Sequence, residues 1–345
     1  MFDLISALMT FAAIVLLGCI LLWTGNGLVP RWLRMRARSE RALLEDALKH
    51  LYDCQYRAQP ATLHSLAGAL GVSGNRSAEL IRILESLGYL RSTETGPELT
   101  AEGSRYALQV IRMHRLWEQY LADQTGMAAR TWHTEADRRE HLMSSAETDV
   151  LATKLGNPRH DPHGDAIPTA AGEIDPPSGS PMTSLAIGQS AIIVHVEDEP
   201  QAVYDQLVAQ SLVPGLKVRV TDVSSETVRF VVEGEEHALS PIVAANLTVL
   251  PIDAAEVSDQ PFERLSALKL GETANVVRIS PACRGVQLRR LLDLGFVPHT
   301  LVQAELRSPS GDPTAYRIRG SLIALRQEQA NQICITRQMT EASPT

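Results

Sequence analysis

The chain opens on an apolar run, Leu4 to Trp23, which reads LISALMTFAAIVLLGCILLW and holds twenty residues without a charge. As a helix rising 1.5 Å per residue it would span about 30 Å, the hydrocarbon thickness of a bilayer. Asp3 precedes the run, and Trp23, Trp32 and the basic cluster Arg31, Arg34, Arg36, Arg38 and Arg41 follow it. A cleaved secretory leader would carry basic residues ahead of the run and a small-residue cleavage site behind it. The pattern therefore predicts a single transmembrane anchor over residues 1–30. Everything after Trp32 is expected on the cytoplasmic side of an inner membrane.

Downstream the periodicity becomes that of amphipathic helices. A helical stretch over Glu40 to Tyr56 leads into ATLHSLAGALGVSGNRSAELIRILESLGYL, Ala61 to Leu90. The spacing predicts a short helix over Leu63 to Leu70, a turn at Gly71, and a second helix from about Ser73 to Leu87. Leu66, Ala67, Leu70 and Val72 would pack against the apolar stripe of Leu80, Ile81 and Leu84. Ser73 suits an N-cap and Gly88 a C-cap. Tyr89-Leu90-Arg91, a turn at Thr95-Gly96-Pro97 and Glu98-Leu99-Thr100 then read as a two-stranded wing. A helix-turn-helix with a wing places its second helix in a major groove, which brings Ser73, Asn75, Arg76 and Ser77 nearest the DNA. A trihelical interaction module without DNA contact is the alternative.

Thr169 to Pro181 is rich in small residues and proline and reads as a linker. Beyond it the pattern repeats at an offset of about 83 residues. Leu185-Ala-Ile-Gly188 and Ser211-Leu-Val-Pro-Gly215 answer to Leu268-Lys-Leu-Gly271 and Gly295-Phe-Val-Pro-His299. Each copy holds a short helix, Val203 to Gln210 or Val286 to Leu294. Val218–Val220, Val228–Val232 and Leu247–Leu250 alternate as strands of a small barrel.

Composition changes this picture little. The 345 residues carry a formal charge of -8, which disfavours indiscriminate coating of nucleic acid. Between Arg31 and Arg115, however, thirteen Lys/Arg stand against nine Asp/Glu, so that stretch is net basic, a mild bias that a solvated surface would also explain. Cys19, Cys54, Cys283 and Cys334 are scattered without a CxxC, which suits a reducing compartment rather than a disulfide framework or zinc ribbon.

The candidate chemistry lies between the winged helix and the linker. Seven of the ten histidines fall between His50 and His163. His114 and Glu118 are spaced i, i+4, and His133, Asp137, Glu140 and His141 also share one helical face. Two antiparallel helices presenting these groups could enclose a divalent cation. Mixed N/O ligands without thiolate favour Mn, Fe, Co, Ni or Zn over Cu(I). A surface ion-pair network is the bland alternative. No nucleophile–base pair, phosphate-cradling glycine loop or HExxH is present, so an enzyme is not expected.

The segment from Glu45-Asp46 to Pro168 resembles the DtxR/MntR family of metal-dependent repressors. The matching stretches are LEDALKHLY, LAGALGVSGNRSAELIRILESLGYL, LTAEG, HRLWEQYL, HTEADRREH and HDPHGDAIP. The resemblance implies a winged-helix domain over 38–106 and a helical metal-binding and dimerisation domain over 107–168. It implies a primary, activating site of Asp46, Asp137, Glu140 and His141. It also implies an ancillary site of His114, Glu118 and His133, any further ligand coming from an unidentified position in the downstream barrel. Iron-preferring members carry Met and Cys where this chain has Asp46 and Asp137, and manganese-type members carry a second acid where it has Lys49. Hard oxygen ligands leave Fe(II) and Mn(II) both open. Glu79 stands where an operator-contacting Gln is common, and His160 and His163 in HDPHG read as structural. Both C-terminal copies, 182–252 and 262–337, resemble FeoA-type SH3-like domains, while His195 and His237 read as isolated surface residues.

The expected fold class is multidomain α+β: a transmembrane helix, a winged helix-turn-helix, an all-α dimerisation domain and two SH3-like small barrels. The expected function is a membrane-tethered, homodimeric, Fe(II)- or Mn(II)-dependent transcriptional regulator that binds a double-stranded operator. The alternative is a membrane-anchored metal sensor that works with a ferrous-iron transport protein and does not bind DNA.

Overall fold

The computed structural model describes residues 28–93, 96–253 and 262–337, with side chains from residue 39 onward. It divides into two compact units. The first is the chain up to Met113 with Arg138–Ser145 and Ala170–Gly172; the second is His114–Asp137, Ala146–Thr169 and the chain from Glu173 on.

In the first unit α1 (Leu28–Tyr56), α2 (Leu63–Leu70) and α3 (Gly74–Ser86) surround a core of Ala47, Leu48, Leu51, Leu66, Ile81 and Leu84. Leu48, Leu66 and Leu84 are fully buried, and each such side chain contributes roughly 1.5–3 kcal/mol. Helix α2 starts on a reciprocal cap in which Ser65 N donates to Thr62 Oγ1 and Thr62 N to Ser65 Oγ, both at 3.0 Å. It stops at Gly71, which takes φ 62°. Ser73 caps α3 by accepting from the Arg76 amide at 3.3 Å, the role its sequence position suggests. The wing is the antiparallel pair β1 (Leu90–Thr93) and β2 (Gly96–Leu99), with Leu90 opposite Leu99. Gly96 and Pro97, expected in the turn, belong to β2, and Thr95 lies outside the described residues. Helix α4 (Ala101–Gln124) follows directly. At its start a β-carbon on Gly103 would meet the Tyr89 carbonyl oxygen at 2.0 Å, so glycine is what lets the helix lie against the wing.

The second unit holds the remainder of α4, most of α5 (Trp132–Glu140) and α6 (Ser145–Lys154), and two antiparallel sheets. The first sheet comprises β3 (Ser180–Pro181), β4 (Ser190–Val196), β5 (Lys217–Val223), β6 (Val228–Val232), β7 (Glu235–Leu239) and β8 (Leu247–Ile252). Helix α7 (Gln201–Ala209) and a turn of helix, α8 (Pro241–Ala244), interrupt it, and the strand order is β3-β8-β4-β5-β6-β7. The second sheet comprises β9 (Glu263–Arg264), β10 (Thr273–Ile279), β11 (Leu301–Arg307), β12 (Thr314–Ile318), β13 (Ser321–Leu325) and β14 (Ile333–Arg337). With α9 (Gly285–Asp293) and α10 (Gln327–Ala330) it repeats the order as β9-β14-β10-β11-β12-β13. Even the register shifts recur, at Ile193/His195 and Val276/Arg278, and at Val220/Asp222 and Ala304/Leu306. Phe230 fills the first core and Phe296 and Tyr316 the second.

Two expectations need correction. The copies are open six-stranded sheets rather than closed barrels: β7 and β13 pair on one side only, and the opposite edges, β3 and β9, are two residues long. An edge that short, with Pro181 unable to donate, offers too few groups to complete a ring. The single-pass inner-membrane placement is overturned as well. Among the described residues no helix is long and apolar enough to cross a membrane. Helix α1 carries Arg31, Arg34, Arg36, Arg38 and Arg41 along its length, and the Leu4–Trp23 run read as an anchor lies outside the described residues.

Candidate metal centres

Helix α1 places Arg41, Glu45 and Lys49 one turn apart, with Asp46 beside them. In the first unit these meet the residues that end α5. His141 Nε2 lies 3.2 Å from Asp46 Oδ1 and 3.5 Å from Glu140 Oε1. One ligand atom from each of the three lies within 4.8 Å of the others. Glu140 is fully buried and receives Lys49 Nζ at 2.8 and 3.1 Å, so its charge is balanced by a lysine. On the other side of the ring, His141 Nδ1 lies 2.6 Å from Glu45 Oε2. Glu45 is fully buried and also accepts from Arg41 Nε at 2.7 Å and from the Tyr106 hydroxyl. Burial raises the Glu45 carboxyl, but His141, Tyr106 and Arg41 outweigh it and hold it below the ordinary range. Burial likewise disfavours the His141 cation, yet Asp46, Glu45 and Glu140 lift its pKa to about 9. Glu45 thus leaves Nε2 turned toward Asp46 and Glu140, the arrangement by which a carboxylate orients a metal-ligating imidazole.

In the second unit His114 Nε2 lies 3.1 Å from Glu118 Oε1, one turn along α4. From α5, His133 Nδ1 lies 3.3 Å from the same oxygen, and Asp137 Oδ1 lies 3.2 Å from His114 Nδ1. The first sheet adds two acids from the segment entering α7. Asp198 Oδ2 lies 2.9 Å from His133 Nδ1, and Glu199 Oε1 lies 3.5 Å from His133 Nε2. His163 completes the group, its Nδ1 3.5 Å from Glu118 Oε2 and 3.8 Å from Asp198 Oδ2. The ring is 2% exposed, Nε2 meets the Tyr204 hydroxyl at 3.0 Å, and Nδ1 is buried without a hydrogen-bond partner. His114, Glu118 and His133 form one set of ligand atoms within 4.8 Å, and Glu118, His163 and Asp198 another. Burial would raise the Glu118 carboxyl, but His114 and His163 hold it well below its usual range. His163, lowered by burial, is lifted by Glu118 and its neighbours to about 9.

The HDPHG loop supplies His163 through local geometry. Asp161 Oδ1 accepts from the His163 and Asp165 amides, each at 2.9 Å, which closes the turn. At Gly164, with φ +98°, a β-carbon would lie 2.0 Å from the Val194 carbonyl oxygen, so the loop seats on β4 only with glycine there. Arg115 approaches Asp165 at 3.3 Å, and His195 Nε2 approaches the same carboxylate at 3.4 Å. His195 is therefore part of this network rather than an isolated surface residue. His237 stacks on Phe230 and faces Gln210 at 3.1 Å.

Of the residues expected to hold metal, Asp46, Glu140 and His141 come together, and so do His114, Glu118 and His133. Asp137 lies beside His114 and His133. His163, Asp198, Glu199 and the orienting Glu45 were not anticipated as site residues. A buried histidine in HDPHG was the one available signal; Asp198 and Glu199 are an ordinary acidic pair until the sheet folds. On α3, Asn75 is exposed and Arg76 partly so, the latter ion-paired with Glu79 at 2.6 Å and with Glu40. Ser77 is fully buried, its hydroxyl 3.4 Å from the Ser73 carbonyl, so it faces the core rather than a groove.

Two regions of the chain match known families. Residues 100–169 match the family model "Iron dependent repressor, metal binding and dimerisation domain", and residues 263–337 match "FeoA domain". The chain is 29% identical over 211 residues to the iron-dependent repressor IdeR of Mycobacterium leprae, covering 56% of this chain and 90% of that protein. It is 30% identical over 171 residues to the diphtheria toxin repressor of Corynebacterium glutamicum, covering 47% and 75%. Among solved structures, a manganese-dependent transcriptional repressor in complex with manganese superposes with a TM-score of 0.54 at 25% identity, over 60% of this chain and all of that one.

Proposed function

From a chain that belongs to the diphtheria toxin repressor family of metal-dependent repressors, we propose a regulator that binds Fe(II) or Mn(II) and, so loaded, a double-stranded operator as a homodimer. Asp46, Glu140 and His141 form its first metal centre. His114, Glu118, His133, His163 and Asp198 form the second, with Asp137 and Glu199 at its margin. The observation that carries the reading is the buried His163 Nδ1, which lacks a hydrogen-bond partner and faces the carboxylates of Glu118 and Asp198. A buried polar atom without a partner costs about 1–3 kcal/mol, and a divalent cation among these groups would satisfy it. Oxygen and imidazole donors without thiolate fit Fe(II) or Mn(II). A bound cation would supply the charge that draws these donors together; the chain supplies their orientation.

DNA contact is assigned to the N-terminal end of α3, through Ser73, Asn75 and Arg76. The domain boundaries follow the sequence reading, with the winged helix over 38–106, the metal-binding and dimerisation helices over 107–168, and the FeoA-like copies over 182–252 and 262–337. No feature of the site's geometry favours a partnership with an iron transporter over DNA.

Anaerobic calorimetric titration of Mn(II) and Fe(II) into the chain, with His141→Ala alongside, tests the proposal. The variant removes a ligand, so its first-centre affinity should fall by more than the ~10–100-fold typical of an orienting residue. Unchanged isotherms in the variant would remove the first centre from the proposal, and no binding of either metal to the unaltered chain would sink it.

A further inference from the structure

The second sheet reaches the helix that carries Glu118. Its α9 begins at Gly285, where φ is +61° and a β-carbon would lie 2.5 Å from the Thr125 carbonyl oxygen and 2.6 Å from that of Ala122. One turn on, Arg289 donates to the Asp123 carbonyl oxygen, and its guanidinium lies 3.3 Å from Gln124 Oε1. Helix α4 has no basic residue in its own last turn. The cation that its terminal carbonyls and dipole favour therefore comes from the second sheet.

That sheet is in turn fastened to the first. Glu233, in the turn between β6 and β7, has a side chain only 4% exposed that lies between two guanidinium groups, Arg264 Nη2 at 2.9 Å and Arg278. Arg264 also reaches Glu235 at 3.2 Å. A buried carboxylate held from both sides is strongly resistant to losing one partner. The first sheet then returns to the metal-binding helices through Asp198, Glu199 and the Tyr204–His163 hydrogen bond. The contacts close a ring, from Glu118 through Asp198 to the first sheet, through Glu233 to the second, and through Arg289 back to α4.

We propose that the second sheet braces the second metal centre: Gly285, Arg289 and Glu233 are positioning residues that keep Asp198 within ligand distance of Glu118. This rests on the metal reading of that centre. With the ring open, the first sheet stays seated on the HDPHG loop through Gly164, Tyr204, His195–Asp165 and the Val196 amide on the His163 carbonyl, but it loses the second-sheet brace, and Asp198 gains freedom to tilt away.

The test is Mn(II) titration of the full chain as Arg289→Ala, Glu233→Gln, their double variant and Asp198→Asn, joined to hydrogen exchange of the metal-free proteins. Each single brace variant should weaken the second-centre affinity by about fivefold or more, the lower end of ordinary coupling between distinct sites. First-centre affinity should not move. Because both variants open one ring, the double variant should be no weaker than the weaker single. Glu233→Gln, though on the first sheet, should also speed exchange of the amides over 119–125. Wild-type affinity in the brace variants with Asp198→Asn weakened overturns the brace and leaves the metal reading standing. Wild-type affinity in Asp198→Asn as well overturns both. Losses that add in the double variant overturn the single ring.

Discussion

Glu45 is not placed among the metal donors, yet its replacement should alter the metal response in a way that depends on pH. With a pKa of about 9, His141 is only ~1% neutral at pH 7, so a metal ligating its Nε2 must displace a proton. Apparent affinity should then rise about tenfold per pH unit up to about pH 9. In Glu45→Gln the carboxylate charge at Nδ1, 2.6 Å away, is gone, so the imidazole pKa should fall, while Asp46 and Glu140 still hold it up. Two effects then oppose each other. Loss of the orienting carboxylate lowers affinity by roughly 10–100-fold, whereas relief from proton competition raises it, most at low pH. The variant should bind Mn(II) more weakly than the unaltered chain at pH 8.5, and the gap should narrow as pH falls toward 6.5. Anaerobic calorimetry in buffers of different ionisation enthalpy reads both the affinity and the protons released. Parallel affinity–pH curves for the two proteins would refute the argument. The metal-free chain gives an independent check of sign. Because the folded pKa is raised, the stability that His141 contributes is fully present below ~6.5 and is lost as pH climbs through about 9.

Two other perturbations probe separate parts of the molecule. Arg76→Ala, which removes a side chain held by Glu79 and Glu40, should weaken operator binding about tenfold and reduce the salt slope by about one if Arg76 meets a phosphate; an unchanged electrophoretic shift would exclude it from the interface. Gly164→Ala forces a β-carbon to 2.0 Å from the Val194 carbonyl, so denaturant unfolding should show a loss of about 3 kcal/mol or more together with a weakened second centre. Wild-type stability there would mean that the HDPHG loop is not seated on β4 as described.

Local pattern was the best guide to the fold. The bounds of α2, the cap at Ser73 and the 83-residue repeat follow from spacing and cap residues alone, because each is set by neighbours a few positions away. What escaped the sequence is non-local. Asp198 and Glu199 carry no spacing signal of their own; β4 and α7 bring them onto His133. Asp137 shares a helical face with Glu140 and His141, so spacing groups the three, but spacing does not show that Asp137 also lies beside His114 on the neighbouring helix. Ser77 looked available for DNA because the first turn of a recognition helix is usually exposed, but the first turn of α3 also supplies a buried flank. Open sheets were read as barrels because alternating strands look the same whether or not the edges meet.

The turn that holds Glu233 has a counterpart in the second copy. Glu233-Gly234 and Arg319-Gly320 both take positive φ at the equivalent hairpin tip, but the acid has become a base. The copies have diverged on both sides of their contact: the acid stands on the first, and Arg264 and Arg278 of the second occupy the places of Pro181 and His195. Change after duplication therefore made the pair complementary: unlike copies meet with matched charge, whereas two second copies would set Arg319 against arginines.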